Sequence, residues 1–178
     1  MLAKALKREL EPIKPVIAAN LGSLRLTTFM YRAMTTPPTQ TKNNRLYYLD
    51  TNEPVTGIVE EFNNDSQLWE RQNYKDGKRE GLEERYSENL QVVTKANYKN
   101  GKREGLEEWF NGDGQLQFRL NYKDGKREGL WEMFYENGQL SFRGNYKDGK
   151  QDGLLEFFDE DGNLTKTETY RNGELIEE

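Results

Sequence analysis

The chain has 178 residues, with 26 lysines and arginines against 31 aspartates and glutamates, a net charge of −5 and a mean hydropathy of −1.05. It contains neither His nor Cys, which excludes Ser-His-Asp and Cys-His centres, Cys/His zinc sites, iron–sulfur clusters and disulfides. Leu, Ile, Val and Phe make up about a fifth of the residues, just above the composition at which chains stop folding, so folding depends on regular spacing of few apolar side chains.

Residues 1–48 hold eight basic and two acidic residues, and residues 49–178 hold the other 18 basic and 29 acidic ones. A basic N-terminal arm, 1–48, therefore precedes an acidic body, 49–178. Within the arm, Leu2 to Leu10 predicts a short helix with Leu2, Leu6 and Leu10 on one face, ended by Pro12. So short a helix does not persist alone in water, so its apolar face is expected to lie on the body or on another protein. The stretch Val16 to Met34 is broken by Asn20, Arg25 and Arg32, so no transmembrane helix is expected, and no secretory signal is expected either. From Pro12 to Leu49 no acidic residue occurs, a composition similar to organellar transit segments, from which Glu9 and Glu11 depart. The expected location is intracellular, a mitochondrial complex in a eukaryote and the cytoplasm otherwise. Pro37-Pro38 reads as linker.

The body repeats every 24 residues. Asn73-Tyr74-Lys75-Asp76-Gly77-Lys78 returns from Asn97, Asn121 and Asn145, and a worn copy begins at Thr169. Residues 49–178 thus hold about 5.4 units. In the unit from Asn121, Asp124-Gly125 signals a two-residue type I′ turn. Gly129 then opens a strand, Leu130 to Tyr135; Glu136-Asn137-Gly138 turns the chain, and Leu140 to Tyr146 returns. Strict alternation puts Leu130, Glu132, Phe134, Leu140, Phe142 and Tyr146 on one face, whose columns repeat. Trp131, Met133, Ser141, Arg143 and Asn145 fall on the other, whose columns vary. The first is the expected stacking ridge, and the second is where specificity is expected. The column Glu60, Glu84, Glu108, Glu132 and Glu156 is expected to pair with turn cations such as Lys126 and Arg127.

The run Tyr-Lys-Asp-Gly-Lys-Arg-Glu-Gly-Leu, an aromatic strand and Glu-Asn-Gly-Gln-Leu resemble the variant MORN repeat, and more closely the YwqK-type antitoxin family. Leu46-Tyr47-Tyr48-Leu49 with Pro54-Val55-Thr56-Gly57 resembles that family's first repeat. The resemblance implies an all-β, single-layer antiparallel meander of hairpins preceded by an extended, partly helical arm. It also implies structural turn glycines at Gly77, Gly81, Gly101, Gly105, Gly125, Gly129, Gly149 and Gly153, and no catalytic residues. Leu90 departs from it, standing where Gly114, Gly138 and Gly162 stand in other units.

Asp159-Glu160-Asp161-Gly162 fails the EF-hand spacing, and no Gly-Lys-Ser/Thr follows the repeated glycines. Lysines and arginines beside the turns line one edge, interleaved with Asp76, Glu80, Glu104 and Glu128, and read as a solvated, salt-bridged edge. The functional expectation is a non-catalytic structural or interaction protein: an accessory subunit docked in a larger protein assembly through its arm and one sheet face. Partner-binding residues are predicted at Trp69, Trp109, Trp131, Met133, Tyr135 and Arg143, with Leu2, Leu6 and Leu10 of the arm. An antitoxin-like protein and a phospholipid-surface module are the alternatives. Neither cofactor nor metal is expected, and the sparse basic residues do not suit nucleic acid.

Overall fold

The computed structural model describes residues 37–177, so the predicted helix carrying Leu2, Leu6 and Leu10 lies outside the described residues. A first hairpin comprises β1 (Thr39–Lys42) and β2 (Arg45–Tyr48). It falls within the segment that charge alone assigns to the arm. Next come β3 (Gly57–Phe62), β4 (Leu68–Lys75), β5 (Lys78–Tyr86), β6 (Val92–Lys99), β7 (Lys102–Phe110) and β8 (Leu116–Lys123). The chain continues as β9 (Lys126–Phe134), β10 (Leu140–Lys147), β11 (Lys150–Gln151), β12 (Gly153–Phe158), β13 (Leu164–Arg171) and β14 (Glu174–Glu177). Strands β3 to β14 form one 12-stranded antiparallel sheet in chain order, with the short β11 beside β10. The predicted meander of repeats is the observed fold.

Two turns alternate. In the first, Asp124 and Gly125 have φ of 49° and 83°, and Lys123 lies opposite Lys126. This is the predicted type I′ hairpin, which needs two left-handed residues. In the second, a short polar side chain closes the loop: Asn111 Oδ1 accepts from the backbone N–H of Asp113 at 3.0 Å and of Gln115 at 2.9 Å, and Ser87 Oγ accepts from that of Gln91 at 3.2 Å.

Only half of the predicted turn glycines lie in turns. Gly77, Gly101, Gly125 and Gly149 do, whereas Gly81, Gly105 and Gly129 sit inside β5, β7 and β9. The strand of the Asn121 unit starts at Lys126, before Gly129. Leu120 faces Trp131 and Tyr122 faces Arg127, so β9 spends three residues where β8 spends one. Gly129, at φ 83°, absorbs that bulge. Gly153, at φ 104°, occupies the same repeat position and opens β12 after the break from β11.

A second irregularity corrects the predicted faces. Leu140 pairs with Phe134, but Phe142 pairs with Met133, leaving Ser141 extra. Past that point the alternation is inverted. Gly144 lies opposite Trp131 and Tyr146 opposite Gly129, while Arg143 lies opposite Glu132. Phe142 and Tyr146 therefore share the face of Trp131, and Arg143 shares that of Leu130 and Glu132. We term these the tyrosine face and the leucine face.

The core lies on the tyrosine face, not on the predicted ridge. Its central row runs Val59, Gln72, Glu83, Ala96, Glu107, Leu120, each opposite the next. Leu120 is 1% exposed, whereas Ile58 on the leucine face is 61% exposed. The row is covered by its own sheet. Arg103 sits 5.2 Å from the Tyr122 ring centroid and donates to Tyr122 Oη at 3.0 Å and Glu107 Oε2 at 2.6 Å. Arg79 over Tyr98 and Arg127 over Tyr146 repeat the arrangement. Buried Glu107 also accepts from Trp109 Nε1 at 2.9 Å, so its charge is compensated.

Consecutive repeats are fastened at the type I′ turns. The N–H of Gly125 donates to Arg103 O at 2.9 Å, and the N–H of Asp124 donates to Glu104 Oε2 at 2.8 Å. Glu80 and Glu128 accept from Asn100 and Asp148 in the same way. These carboxylates, expected to offset the lysines of the edge, instead bind backbone amides of the next repeat.

Candidate functional site

On the tyrosine face, beside the central row, Trp109, Phe118, Met133, Phe142 and Phe157 stand opposite one another in succession across β7 to β12. Earlier in the same row stand Glu70, Arg85 and Thr94, and beyond it Lys166 faces Phe157. The apolar stretch is thus bounded at both ends by polar or charged residues. Trp109 and Met133 project from it, 42% and 43% exposed, while Phe142 is buried.

Trp131 is the anchor under this row. Its ring centroid lies 4.3 Å from Phe142 edge-to-face, 5.3 Å from Tyr146 and 6.2 Å from Phe118. Its Nε1 is buried and has no acceptor among the described residues. Aromatic packing of this kind outweighs one unmade hydrogen bond to an indole. Gly144 lies opposite Trp131, and a side chain there would collide with Leu155 Cδ1.

The other predicted partner-binding residues do not join this group. Trp69 is exposed but lies on β4, next to the register shift between Glu61 and Phe62, and not in the row. Tyr135 donates its hydroxyl to Phe158 O at 2.7 Å, tying its loop to the next repeat. Arg143 is on the opposite face, where its Nη2 donates to Glu156 Oε1 at 3.1 Å. Sequence reading misplaced Phe142 and missed Phe118 because each follows a bulge that inverts the alternation, whereas Phe157 precedes any such shift and holds the repeat position of Met133. The signal for the first two was the pairing register, which strict alternation does not contain.

The glutamate column is real, with partners other than those expected. Glu60 pairs with Arg71 at 2.7 Å, Glu132 with Arg119 and Glu156 with Arg143, all from adjacent strands rather than from Lys126 or Arg127. The hydrogen bond from Arg143 holds Glu156 below the usual carboxylate range. On the tyrosine face, burial pushes Glu83 above that range, although Arg79 and Arg85 oppose the shift. Burial also works against the charge of Arg103, but its bonds with Tyr98 and Glu107 prevail and its pKa stands above the ordinary arginine value.

Among the described residues no group of three or more acidic side chains is placed to hold a metal ion, and no helix is long and apolar enough to cross a membrane. The family model described as MORN repeat variant matches residues 55–76, 103–124, 127–148 and 151–178, together just over half of the chain. The chain belongs to the MORN repeat variant family. The long unmatched stretch inside the array contains the repeat in which Leu90 replaces glycine. MORN repeats are generally interaction or membrane-binding modules. No curated protein matches the chain, and the antitoxin part of the expected resemblance finds no support. Among solved structures it is similar to a point mutant of S. aureus TarM in complex with Fondaparinux, alpha-GlcNAc-glycerol and UDP. That likeness is at 12% identity and a TM-score of 0.38, covering 71% of this chain and 23% of that one. A further TarM crystal structure matches at 11% identity and a TM-score of 0.38, covering 71% and 22%. The chain spans less than a quarter of these proteins, and no argument rests on so slight a likeness.

Proposed function

We propose that this MORN array is a non-catalytic interaction protein, an accessory subunit that docks in a larger protein assembly through the apolar row of its tyrosine face. The observation that carries this reading is the bounded row Trp109, Phe118, Met133, Phe142, Phe157, from which one tryptophan and one methionine project into solvent. Binding energy at protein interfaces concentrates in such aromatic anchors, and losing one costs about 2 kcal/mol or more. Trp131 supports the row from within the sheet. The repeat itself accounts for most of the acidic, basic and tyrosine side chains that catalysis would require: they form the glutamate column with its arginines, the arginines stacked on tyrosines, and the carboxylates that hold the turn amides.

The test is co-purification from the native source with tagged full-length chain. Trp109→Ala with Met133→Ala is expected to lower the recovery of stoichiometric partner subunits at least tenfold while the melting temperature stays near that of the unaltered chain. Undiminished recovery would remove the row from the interface. A single small partner whose toxicity the chain relieves would favour the antitoxin-like alternative.

A further inference from the structure

The apolar row of the tyrosine face has two unlike flanks. Trp109, Met133 and Phe157 each stand one residue before the end of their strand, so the row runs beside the loops 111–115, 135–139 and 159–163. Those loops contain Asp113, Glu136, Asp159, Glu160 and Asp161, and neither lysine nor arginine. The wider stretches 109–117, 133–141 and 157–165 add no further charge of either sign. Asp159 closes its loop by accepting the N–H groups of Asp161 and Asn163. The side chains of Asp113, Glu136, Glu160 and Asp161 are exposed and make neither a hydrogen bond nor an ion pair among the described residues. The cation at the end of the row, Lys166, is paired with Glu168 at 2.9 Å.

On the side of the row toward the type I′ turns the balance differs. Arg103 is paired with Glu107 at 2.6 Å. Arg127 has Trp131 four positions on, where Arg103 has Glu107; it donates to Tyr146 Oη at 3.2 Å and has no carboxylate partner among the described residues. The row therefore separates five carboxylates from one uncompensated guanidinium. It crosses β7, β8, β9, β10 and β12, neighbouring strands of the sheet, and is roughly 19 Å long at about 4.8 Å per strand. A helical stripe of about 13 residues has that length. The backbone groups under the row are already spent in the strand ladders, so an occupant must satisfy its own backbone. A helix does so, and an extended peptide does not.

From these flanks we infer that the occupant of the row is an amphipathic α-helix of a partner protein, apolar along one stripe and carrying lysines or arginines on the side that meets the loops. This partner chemistry rests on the docking role proposed for the row. The stripe covers the projecting Trp109 and Met133, and the long basic side chains reach the loop carboxylates beside them. Exposed ion pairs are individually weak, so the apolar contact holds the helix while the charges select it and fix which way round it lies. The same five carboxylates repel an anionic lipid surface.

Titration of the full-length chain with two fluorescently labelled amphipathic peptides of about 18 residues, followed by anisotropy, tests it. Both peptides carry a leucine stripe; one has lysines along a flank and the other has glutamates at the same positions. The lysine peptide is expected to bind at least about tenfold more tightly than the glutamate peptide at about 50 mM salt, and to weaken at about 300 mM. Asp113→Asn, Glu136→Gln and Glu160→Gln together are expected to weaken it at least about fivefold. Trp109→Ala with Met133→Ala is expected to abolish it. Asp76→Asn, Asp124→Asn and Asp148→Asn together make an equal charge change at the far edge, where Asn100 and Asn172 stand in other repeats, and are expected to leave binding unchanged. Equal affinity for the two peptides overturns the inference, as does no binding by the unaltered chain. So does an equal loss in the far-edge variant, which reduces the effect to general attraction by an acidic protein, and so does binding indifferent to Trp109 and Met133. Sedimentation that shows the unaltered chain pairing through Trp109 and Met133 gives the row to a second copy and overturns it too. Partner recovery from the native source that depends on Trp109 and Met133 but not on the three loop carboxylates leaves the proposed function standing and overturns the basic helix alone.

Discussion

Leu90 is the residue at which this chain departs most plainly from its own repeat. It has φ 59° and is 58% exposed, where Gly114, Gly138 and Gly162 have φ of 79°, 83° and 84°. A side chain in the left-handed region costs about 1–2 kcal/mol, part of which glycine returns as unfolded-state entropy. Leu90→Gly is expected to raise stability by roughly 0.5–1 kcal/mol, read as a higher urea midpoint at unchanged slope. Gly77 makes the opposite case. A Cβ there would lie 2.7 Å from Leu46 O, because the β1–β2 hairpin packs on this turn and the N–H of Leu46 donates to Gly77 O at 2.7 Å. At Gly125 the nearest atom would be Lys102 Cβ at 3.7 Å, an ordinary contact. Both alanine substitutions carry backbone strain, and Gly77→Ala is expected to cost about 1–3 kcal/mol more than Gly125→Ala in parallel denaturant melts. The need for glycine in both turns was legible in the Asp-Gly dipeptide. The hairpin lying against one of them was not, because that contact joins residues about 30 positions apart.

At the scale of strands and turns, backbone clips hold one repeat to the next more firmly than surface ion pairs do. Glu104→Ala removes the acceptor of the Asp124 amide and is expected to cost about 1 kcal/mol or more. Lys126→Ala breaks an exposed pair at 3.6 Å and is expected to change stability by less than about 0.5 kcal/mol. The carboxylates also set the acid response, with opposite signs on the two faces. Glu156 is held below its ordinary value of 4.5, chiefly by the hydrogen bond from Arg143. It stabilises the fold above that value, and the contribution is lost as pH falls through its lower folded pKa. Glu83 is raised by burial, so the folded chain binds a proton more readily than the unfolded one, and stability falls as pH rises from 4.5 through its higher folded pKa. Melting temperature against pH is therefore expected to lose part of its acid limb in Glu156→Gln. In Glu83→Gln the decline above 4.5 is expected to flatten.

Across the whole array the core is uneven. Its central row begins with Val59, Gln72 and Glu83 and passes through Ala96 and Glu107 to Leu120 and Trp131. Repeat proteins gain stability from neighbouring interfaces, so the aromatic middle is expected to outlast the ends. Amide hydrogen exchange should be slowest in β8 to β10 and faster in β4 and β13; uniform protection would contradict the unequal core. Trp131→Ala removes the ring that Phe118, Phe142 and Tyr146 pack around, and is expected to lower stability by about 2 kcal/mol or more. Trp109→Ala, at a projecting position, is expected to lower it by about 1 kcal/mol or less. The two tryptophans, alike in a strand pattern, thus separate into a residue that holds the sheet and one that projects from it.

Sequence alone determined the all-β meander, the 24-residue repeat and the type I′ turns, because each rests on chemistry within a few neighbouring residues: Asp-Gly at positive φ and short strands between glycines. It also located the glutamate column, which keeps a constant offset from those turns. Tertiary structure alone decided which face is the core, which arginines neutralise the column, and that Phe118 and Phe142 align with Trp109, Met133 and Phe157. The reason is the one-residue bulge at the start of each returning strand, as at Ser141. One extra residue reverses the facing of everything after it. Only the hydrogen-bonded neighbour strand reveals where that residue is, as the pairing of Phe142 with Met133 and of Arg143 with Glu132 shows.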